Sequence, residues 1–247
     1  MPGAVEQSRT SIPVLIDHAN LPPVPSRRDY VHLADTIINT ISPQLPPAAY
    51  GFSLRLYDGW YRGQTLSSAA QRAIAAVSAD FPYYRALSST SSQRCLVTAE
   101  LAHGPAFAPN VTFTHTYRER DTVSRLRVRP LPACSEPECS LKAAHGFLST
   151  QRCKATGCAR TLTNLIESAD EQKLVDTLLV ADLAHYSLED APAVVVVSAD
   201  DDMWPGIAFA LSRAKTVFSL LPKHANRVSP YRHLFPGSKF HAIALAK

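Results

Sequence analysis

The sequence is poor in glycine. Nine glycines stand against nineteen prolines, and neither GxGxxG nor GxxxxGK[ST] occurs. In dinucleotide-binding and P-loop proteins these loops let backbone amides approach phosphate groups closely. Their absence argues against a glycine-rich nucleotide site.

Long apolar segments are also missing. No stretch approaches the roughly 18 to 20 apolar residues needed to cross a bilayer, and no basic N-terminal segment leads into an apolar run. We therefore expect no membrane association and a cytosolic location. Apolar residues make up 46% of the 247 residues, which is enough for one large domain, or for one domain with a small insertion.

The segment SIPVLIDHANL, residues 11–21, combines a predicted strand with polar residues at its end. The apolar run from Ile12 to Ile16 stops at Asp17, and Asn20 follows three positions later. Ligands of open α/β sheets bind beyond the carboxyl ends of the strands, which favours a metal-binding acidic centre here. An isolated D-x-x-N motif is more typical of a turn, so this hypothesis depends on the rest of the chain.

The order of predicted elements indicates an α/β fold. After the first strand, apolar residues at helical spacing predict a helix over 30–41, and alternation predicts a strand over 52–56. A strand, a helix and a strand in this order are typical of a parallel sheet. Further helices are predicted over 65–79 and 207–214, and further strands over 95–101, 111–116, 216–221 and 240–245.

A carboxylate-rich helical pattern covers LTNLIESADEQKLVDTLLVADLAHYS. Asp176 and Asp182 are six residues apart, so on a straight helix their side chains point about 120° apart. They cannot bind one ion in the same way. Asp176, nearer the helix start, is the better metal ligand, with Asp182 on an adjoining face or behind the residues that bind the ion. Solvated helix charges are the alternative for both.

The run Ala193–Val197 predicts a central strand buried on both faces. It ends in Ser198, Ala199 and three successive aspartates, Asp200 to Asp202. Adjacent carboxylates repel one another unless a cation or hydrogen-bond donors compensate. A divalent ion is the simplest explanation.

Four of the five cysteines form two C-x4-C pairs, and this layout predicts a structural zinc site. Two disulfides, which a cytosolic location disfavours, and ordinary buried thiols are the alternatives. His145, between the pairs, is either a substitute ligand or, as is commoner for a lone histidine, a surface residue. Cys95 is expected in the core. The proposed Zn²⁺ ligands are Cys134, Cys139, Cys153 and Cys158.

The net charge of +4 is unevenly distributed. Residues 118–160 hold nine Lys/Arg and four Asp/Glu, a balance of +5, whereas the remainder holds sixteen and seventeen, a balance of −1. This segment indicates a local anionic partner, or else a solvated basic face. Three arginines at period two would share one strand face, which suits binding of phosphates or, alternatively, protection of a sheet edge by charge. The candidate nucleic-acid-binding residues are Arg125, Arg127, Arg129, Lys142, Arg152 and Lys154.

Three segments, VLIDHANL, EQKLVDTLLVADL and VVVVSADDDM, together resemble NYN domains, a branch of the PIN-like nuclease superfamily. They occur in the family's order, and LYDGWY is similar to its second-strand stretch. The chain departs from the family pattern at Ala199, usually glycine, and at Asp201 and Met203, usually serine and phenylalanine. These departures bear on the metal affinity.

The resemblance implies a three-layer α/β/α sandwich with a mainly parallel sheet, and metal-dependent cleavage of RNA. It implies Mg²⁺ or Mn²⁺ ligands at Asp17, Asp176 and Asp200. Asn20 would hold Asp17 or the scissile phosphate, and Ser198 would orient the strand end. The acidic pocket would be completed by Asp182 and Asp202.

We therefore predict an NYN/PIN-like nuclease domain over 11–117 and 161–247, a basic zinc-stabilised insertion over 118–160, and a disordered lead-in over 1–10. The predicted function is that of a metal-dependent ribonuclease, in particular an endoribonuclease, with RNA as partner. The alternatives are a nucleic-acid-binding or adaptor protein on a decayed nuclease scaffold, and a nuclease directed at DNA or tRNA. The oligomeric state stays open and includes a homo-oligomer.

Overall fold

The computed structural model describes residues 10–21, 30–46, 50–87, 94–118, 128, 130, 139–162, 171–222, 231–235, 237 and 239–245. The chain divides into two compact units, one from residues 1–116 and 172–247 and the other from residues 117–171. Thr10, the last residue of the predicted lead-in, begins the first strand, and the rest of that lead-in lies outside the described residues.

The described regular elements are strands and α-helices, with three short 3-10 helices. The strands are β1 (Thr10–Asp17), β2 (Tyr50–Tyr57), β3 (Tyr61–Arg62), β4 (Thr65–Leu66), β5 (Tyr83–Ala86), β6 (Arg94–Leu101), β7 (Tyr117–Arg118), β8 (Glu171–Gln172), β9 (Ala193–Val197), β10 (Thr216–Leu221) and β11 (Phe240–Ala244). The helices are α1 (Tyr30–Ile41), α2 (Ser68–Asp80), α3 (Ser140–Thr150), α4 (Val175–Tyr186) and α5 (Trp204–Ser212).

The first unit contains a seven-stranded sheet in the order β11-β10-β9-β1-β2-β6-β5. All neighbouring strands are parallel except β5 and β6. β1 pairs with β2 along its whole length but with β9 only over Val14–Ile16. Pro13 has no amide hydrogen to donate, but it lies just before the residues of β1 that pair with β9. The β1–β9 ladder therefore loses no hydrogen bond to this proline.

Alternate side chains of the central strands enter two hydrophobic cores. Val14 and Ile16 of β1 pack with residues of α1 and α2, whereas Leu15 packs with residues of β9, α4 and α5. The side-chain period of two in a strand explains this division. The fold is thus α/β with a mostly parallel sheet, compatible with a three-layer sandwich.

Several predicted elements differ from the observed ones. Residues 111–116 form no strand, because the amides of Phe113 and His115 donate to two separate acceptors, the carbonyls of His103 and Gly63. α2 begins at Ser68 and not at residue 65, because the Ser67 hydroxyl accepts a hydrogen bond from the Ala70 amide and so caps the helix. None of the described helices combines the length and apolar character that crossing a bilayer requires.

Candidate metal centre

The ends of β1 and β9 form the point where the sheet reverses its winding. The chain leaves β1 towards β2 on one side, while β9 leads to β10 and β11 on the other. Neighbouring loops diverge at such a point, and the crevice at the carboxyl ends of the strands is the usual ligand site of an open α/β sheet. Asp17 ends β1, and Ser198 follows β9 at this edge.

Three aspartates from different elements converge at this edge. Asp176 lies in the first turn of α4, Asp200 follows β9, and Asp202 lies in the short 3-10 helix after it. One carboxylate oxygen from each lies within 4.8 Å of the other two, and all three residues are exposed. We call Asp176, Asp200 and Asp202 the aspartate triad.

The donor set of the triad fits a divalent cation that prefers oxygen. Two like charges at this separation repel by roughly 1 kcal/mol in bulk water and by a few kcal/mol where protein atoms replace water. Local contacts offset part of this repulsion: Asp176 lies at the positive end of the α4 dipole, and the Asp200 carboxylate accepts a hydrogen bond of 3.1 Å from the Asp202 amide. A bound cation would remove the remainder, so these residues are able to hold a metal ion.

The pKa of Asp176 reports the electrostatics of the site. It is raised above the ordinary aspartate value, first because surrounding protein atoms displace water from the carboxyl group, and then by the negative charges of Asp17, Asp200 and Asp202. A carboxylate that resists ionisation among three others gains most from a nearby positive charge.

Asp17, the last residue of β1, is held by three hydrogen bonds. Asp17 is buried, with 2% of its surface exposed. The Ser198 hydroxyl donates to its Oδ2 at 2.8 Å, the Asn20 side-chain amide donates to the same oxygen, and the Asn20 backbone amide donates to Oδ1 at 3.4 Å. Asn20 therefore makes the contact with Asp17 that the family resemblance implies for it.

Ser198 joins the ends of the two central strands. While its hydroxyl donates to Asp17 of β1, its oxygen accepts a hydrogen bond of 3.1 Å from the Asp200 amide. The buried Asp17 and the exposed Asp200 are thus tied through one side chain. This arrangement fixes the start of the aspartate-rich segment relative to β1.

Asp182 occupies a different environment. It is 0% exposed, and its Oδ2 accepts hydrogen bonds from Arg55 Nε at 2.9 Å and from the Tyr57 hydroxyl at 2.8 Å, while its Oδ1 accepts one from the Ala106 amide at 2.7 Å. Burial, and then the charge of Asp182, raise the pKa of Tyr57 well above its ordinary value, so its hydroxyl stays protonated as a donor.

Asp182 is therefore a structural anchor for α4, and its contacts leave it no place in the triad. Arg55, its main partner, also donates to Glu100 and to the Gly104 carbonyl. The side chains of Asp176 and Asp182 point in different directions from α4, as predicted: Asp176 is exposed and Asp182 is buried. Asp182 therefore does not complete the acidic pocket, contrary to what the resemblance implies.

Comparisons of the chain with protein-family models, with curated proteins and with solved structures found no match. The likeness to NYN domains rests on the three sequence segments alone.

The second unit holds the predicted zinc and nucleic-acid residues that are described. Cys153 and Cys158 are neighbours in a turn: Gly157 adopts a positive φ of 79°, and the pKa of Cys153 is lowered by a hydrogen bond from the backbone of Ala155 and then by one from the Cys158 thiol. Lys142, Arg152 and Lys154 are exposed.

Three of the four predicted zinc ligands, Cys139, Cys153 and Cys158, do not come close enough together to share an ion, although all three are among the described residues. Cys134, Arg125, Arg127 and Arg129 lie outside them. Within the described parts of the chain, the triad is the one group of three His, Cys, Asp or Glu residues close enough to share an ion. Cys95 is buried in the core, as predicted.

A buried polar network beside Asp17 was not predicted from the sequence. His18 forms two hydrogen bonds, one of 2.6 Å between its Nδ1 and the Asp58 carboxylate and one of 2.9 Å between its Nε2 and the Tyr30 hydroxyl. Asp58 also accepts hydrogen bonds from the Gly59 amide and the Gln172 side chain. The network joins the ends of β1 and β2 to the start of α1. The sequence feature that could have indicated this network is that His18 and Asp58 each directly follow the end of a strand.

Proposed function

We propose that this chain is a metal-dependent phosphodiester hydrolase of the NYN type, within the PIN-like superfamily, and that it cleaves RNA as an endoribonuclease. The observation that carries the proposal is the convergence of Asp176, Asp200 and Asp202 at the reversal point of a parallel sheet, where the charge of Asp17 also acts on Asp176. The mostly parallel sheet with core on both faces supports a PIN-like three-layer sandwich.

The triad would hold Mg²⁺ or Mn²⁺, because both ions prefer carboxylate oxygens. When bound, such an ion supplies Lewis acidity towards the phosphodiester and lowers the pKa of water. Asp17, fixed by Ser198 and Asn20, adds its negative charge to the site. The three hydrogen bonds to Asp17 hold its carboxylate in one orientation, which favours a constant geometry at the site.

The charge of the site explains why the ion is needed before the substrate. Four carboxylates at one edge of the sheet repel the phosphates of a nucleic acid. Neutralisation of the triad removes this barrier, and basic residues elsewhere in the chain then neutralise the rest of the strand. Lys142, Arg152 and Lys154, all exposed, would contribute to this guidance, as would the arginines at 125, 127 and 129.

The test is cleavage of labelled RNA by the purified chain with Mn²⁺ or Mg²⁺. We expect cleavage by the wild type that chelation by EDTA abolishes, and at least a hundredfold loss in Asp200→Asn and in Asp17→Asn, because each removes charge from the centre. Asp190→Asn, an exposed aspartate outside the centre, is the matched control and should retain activity.

The choice of substrate separates the competing functions. Cleavage of single-stranded DNA or of tRNA in preference to other RNA would favour the alternative of a nuclease directed at DNA or tRNA. Binding of RNA without cleavage under any divalent ion would overturn the enzymatic proposal and favour an adaptor. Cleavage that persists in Asp200→Asn would overturn the assignment of the site.

We also propose a structural Zn²⁺ held by Cys134, Cys139, Cys153 and Cys158. The adjacency of the Cys153 and Cys158 thiols supports it, since one turn then supplies two ligands. Elemental analysis of the purified protein should give one zinc per chain, and the double variant Cys153→Ser/Cys158→Ser should lose it. Zinc-free protein with unchanged folding would contradict this.

A further inference from the structure

An aromatic cluster surrounds the first residue of α5. The Trp204 ring lies parallel to that of Phe235, with an interplanar angle of 9° and 5.7 Å between centroids. It also contacts Tyr231 at 6.2 Å and Phe240 at 5.3 Å. We call Trp204, Tyr231 and Phe235 the aromatic platform.

The platform reaches the surface. Tyr231 is 44% exposed, and Trp204 and Phe235 are half-buried. The other tryptophan of the protein, Trp60, is 1% exposed and belongs to the core. Large aromatic side chains are normally buried, and a group of them at the surface is typical of a binding site.

The platform lies next to the aspartate triad. Trp204 follows Asp202 by two residues, so their Cα atoms are at most ~7 Å apart. A ligand positioned at the triad therefore extends to the platform within a short distance.

The chain that carries the platform is uniformly basic. After Asp202 it contains no Asp or Glu but seven basic residues: Arg213, Lys215, Lys223, Arg227, Arg232, Lys239 and Lys247. Arg213 and Lys239 are exposed, and Lys215 is half-buried with its ammonium group donating to the carbonyls of Glu189 and Ala191. A chain segment that carries aromatic rings and only positive charges complements a polyanion with planar bases.

We propose that Trp204, Tyr231 and Phe235 stack on the bases of a single-stranded nucleic acid and hold it beside the triad. The proposal rests on the function proposed above and adds a binding site to it. Stacking is tolerant of sequence, because every base has a π-face, whereas the bases of a duplex are already stacked on one another. The platform therefore favours single strands over duplexes.

Binding of a fluorescein-labelled oligouridylate to the full chain, measured by anisotropy in EDTA to prevent cleavage, tests the proposal. We expect Trp204→Ala and Tyr231→Ala each to weaken binding about tenfold, and Trp204→Phe to retain most of the affinity. Tyr84→Ala is the matched control, since Tyr84 is 55% exposed and lies on β5, at the opposite edge of the sheet. It should bind like the wild type.

Three further probes identify the interaction. An oligonucleotide of equal charge that lacks bases should bind the wild type and Trp204→Ala equally, and a matched RNA duplex should bind the wild type more weakly than the single strand. Oligothymidylate in place of oligouridylate distinguishes DNA from RNA. Quenching of the fluorescence of Trp204, the more exposed of the two tryptophans, should accompany binding of the single strand.

Unchanged affinity for oligouridylate in both alanine variants would overturn the proposal, as would absence of binding by the wild type. A dimer that Trp204→Ala dissociates, with no change in oligonucleotide binding, would assign the platform to self-association instead. The two proposals fail separately: a chain that cleaves RNA equally well with or without the platform refutes the platform alone. A chain that stacks on bases but cleaves nothing refutes the enzymatic function alone.

Discussion

Asp176 and Asp182 lie six residues apart on α4 and have opposite roles. Asp176 faces solvent with Asp200 and Asp202, whereas Asp182 is fully buried with Arg55 and Tyr57. A buried charge pair adds little net stability when intact, but loss of one partner leaves the other charge uncompensated. The same residue type thus supplies a candidate metal ligand on one face of the helix and a structural anchor on the other.

We predict that Asp182→Ala lowers the free energy of unfolding by about 3–5 kcal/mol, because Arg55 loses its fully buried carboxylate partner and the Tyr57 hydroxyl and the Ala106 amide lose their acceptor. Urea unfolding followed by circular dichroism measures this. Asp190→Ala, on the exposed surface, should change stability by less than about 0.5 kcal/mol. A stable Asp182→Ala protein that has lost only RNA cleavage would instead return Asp182 to the active centre.

Asp176→Asn should stabilise the metal-free protein at pH 7. The pKa of Asp176 is raised in the folded state, so its stabilising contribution is complete below the pKa of the unfolded chain and is lost as the pH rises through the folded pKa. At neutral pH the ionised carboxylate therefore opposes folding, and asparagine removes that charge.

The pH dependence checks the sign of this effect. The gain in unfolding free energy of Asp176→Asn over the wild type should be present at pH 7 and should disappear below about pH 3.9, the ordinary aspartate pKa, because Asp176 is then protonated in both states. Thermal unfolding in EDTA across this range is the measurement. A variant less stable than the wild type at pH 7 would contradict the electrostatic description of the triad.

At the scale of elements, α4 and α5 determine where the triad converges. Gly206 in the first turn of α5 faces α4, and a Cβ atom there would lie 2.8 Å from Leu183 Cδ2 and 3.4 Å from Val180 Cγ1. The small residue allows the two helices to approach closely. Asp202 lies just before α5, and Asp176 lies in the first turn of α4. The close contact of the two helices therefore helps to hold these two aspartates near each other.

Gly206→Ala should cost about 1–3 kcal/mol in unfolding free energy, because the packed Leu183 side chain must move. Gly146→Ala provides the contrast within the same protein, since no described atom lies within 4 Å of the added Cβ on α3. It should stabilise α3 by about 0.5–1 kcal/mol through helix propensity. Urea unfolding reports the first, and amide hydrogen exchange in α3 the second. Equal effects at both glycines would contradict the packing argument.

The sequence predicted the elements whose signals are local. α1 and β9 have the predicted bounds, because helical periodicity and a β-branched run are properties of neighbouring residues. The exit of Asp17 and Asp200 from central strands followed from the same patterns. The contacts of Asp182 with Arg55, 127 residues away in the chain, and of His18 with Asp58 did not, because no local pattern records which buried partners two distant side chains share.

At the scale of the whole molecule, charge is segregated along the chain. The aspartates of the centre precede a stretch that holds no acidic residue, and residues 118–160 add a second basic segment. In the proposed function, the aspartates take a cation and the basic segments of the sequence attract the polyanion. Binding of oligonucleotides should therefore weaken steeply as salt concentration rises.

The most direct test of this account is anomalous diffraction from crystals of the protein soaked in Mn²⁺. We predict a manganese peak bound by carboxylate oxygens of Asp176, Asp200 and Asp202, and its absence from crystals of Asp200→Asn soaked in the same way. The wild-type crystals are soaked at the Mn²⁺ concentration of the RNA cleavage assay. Absence of a peak at the triad would then contradict the claim that this edge of the sheet is a metal centre.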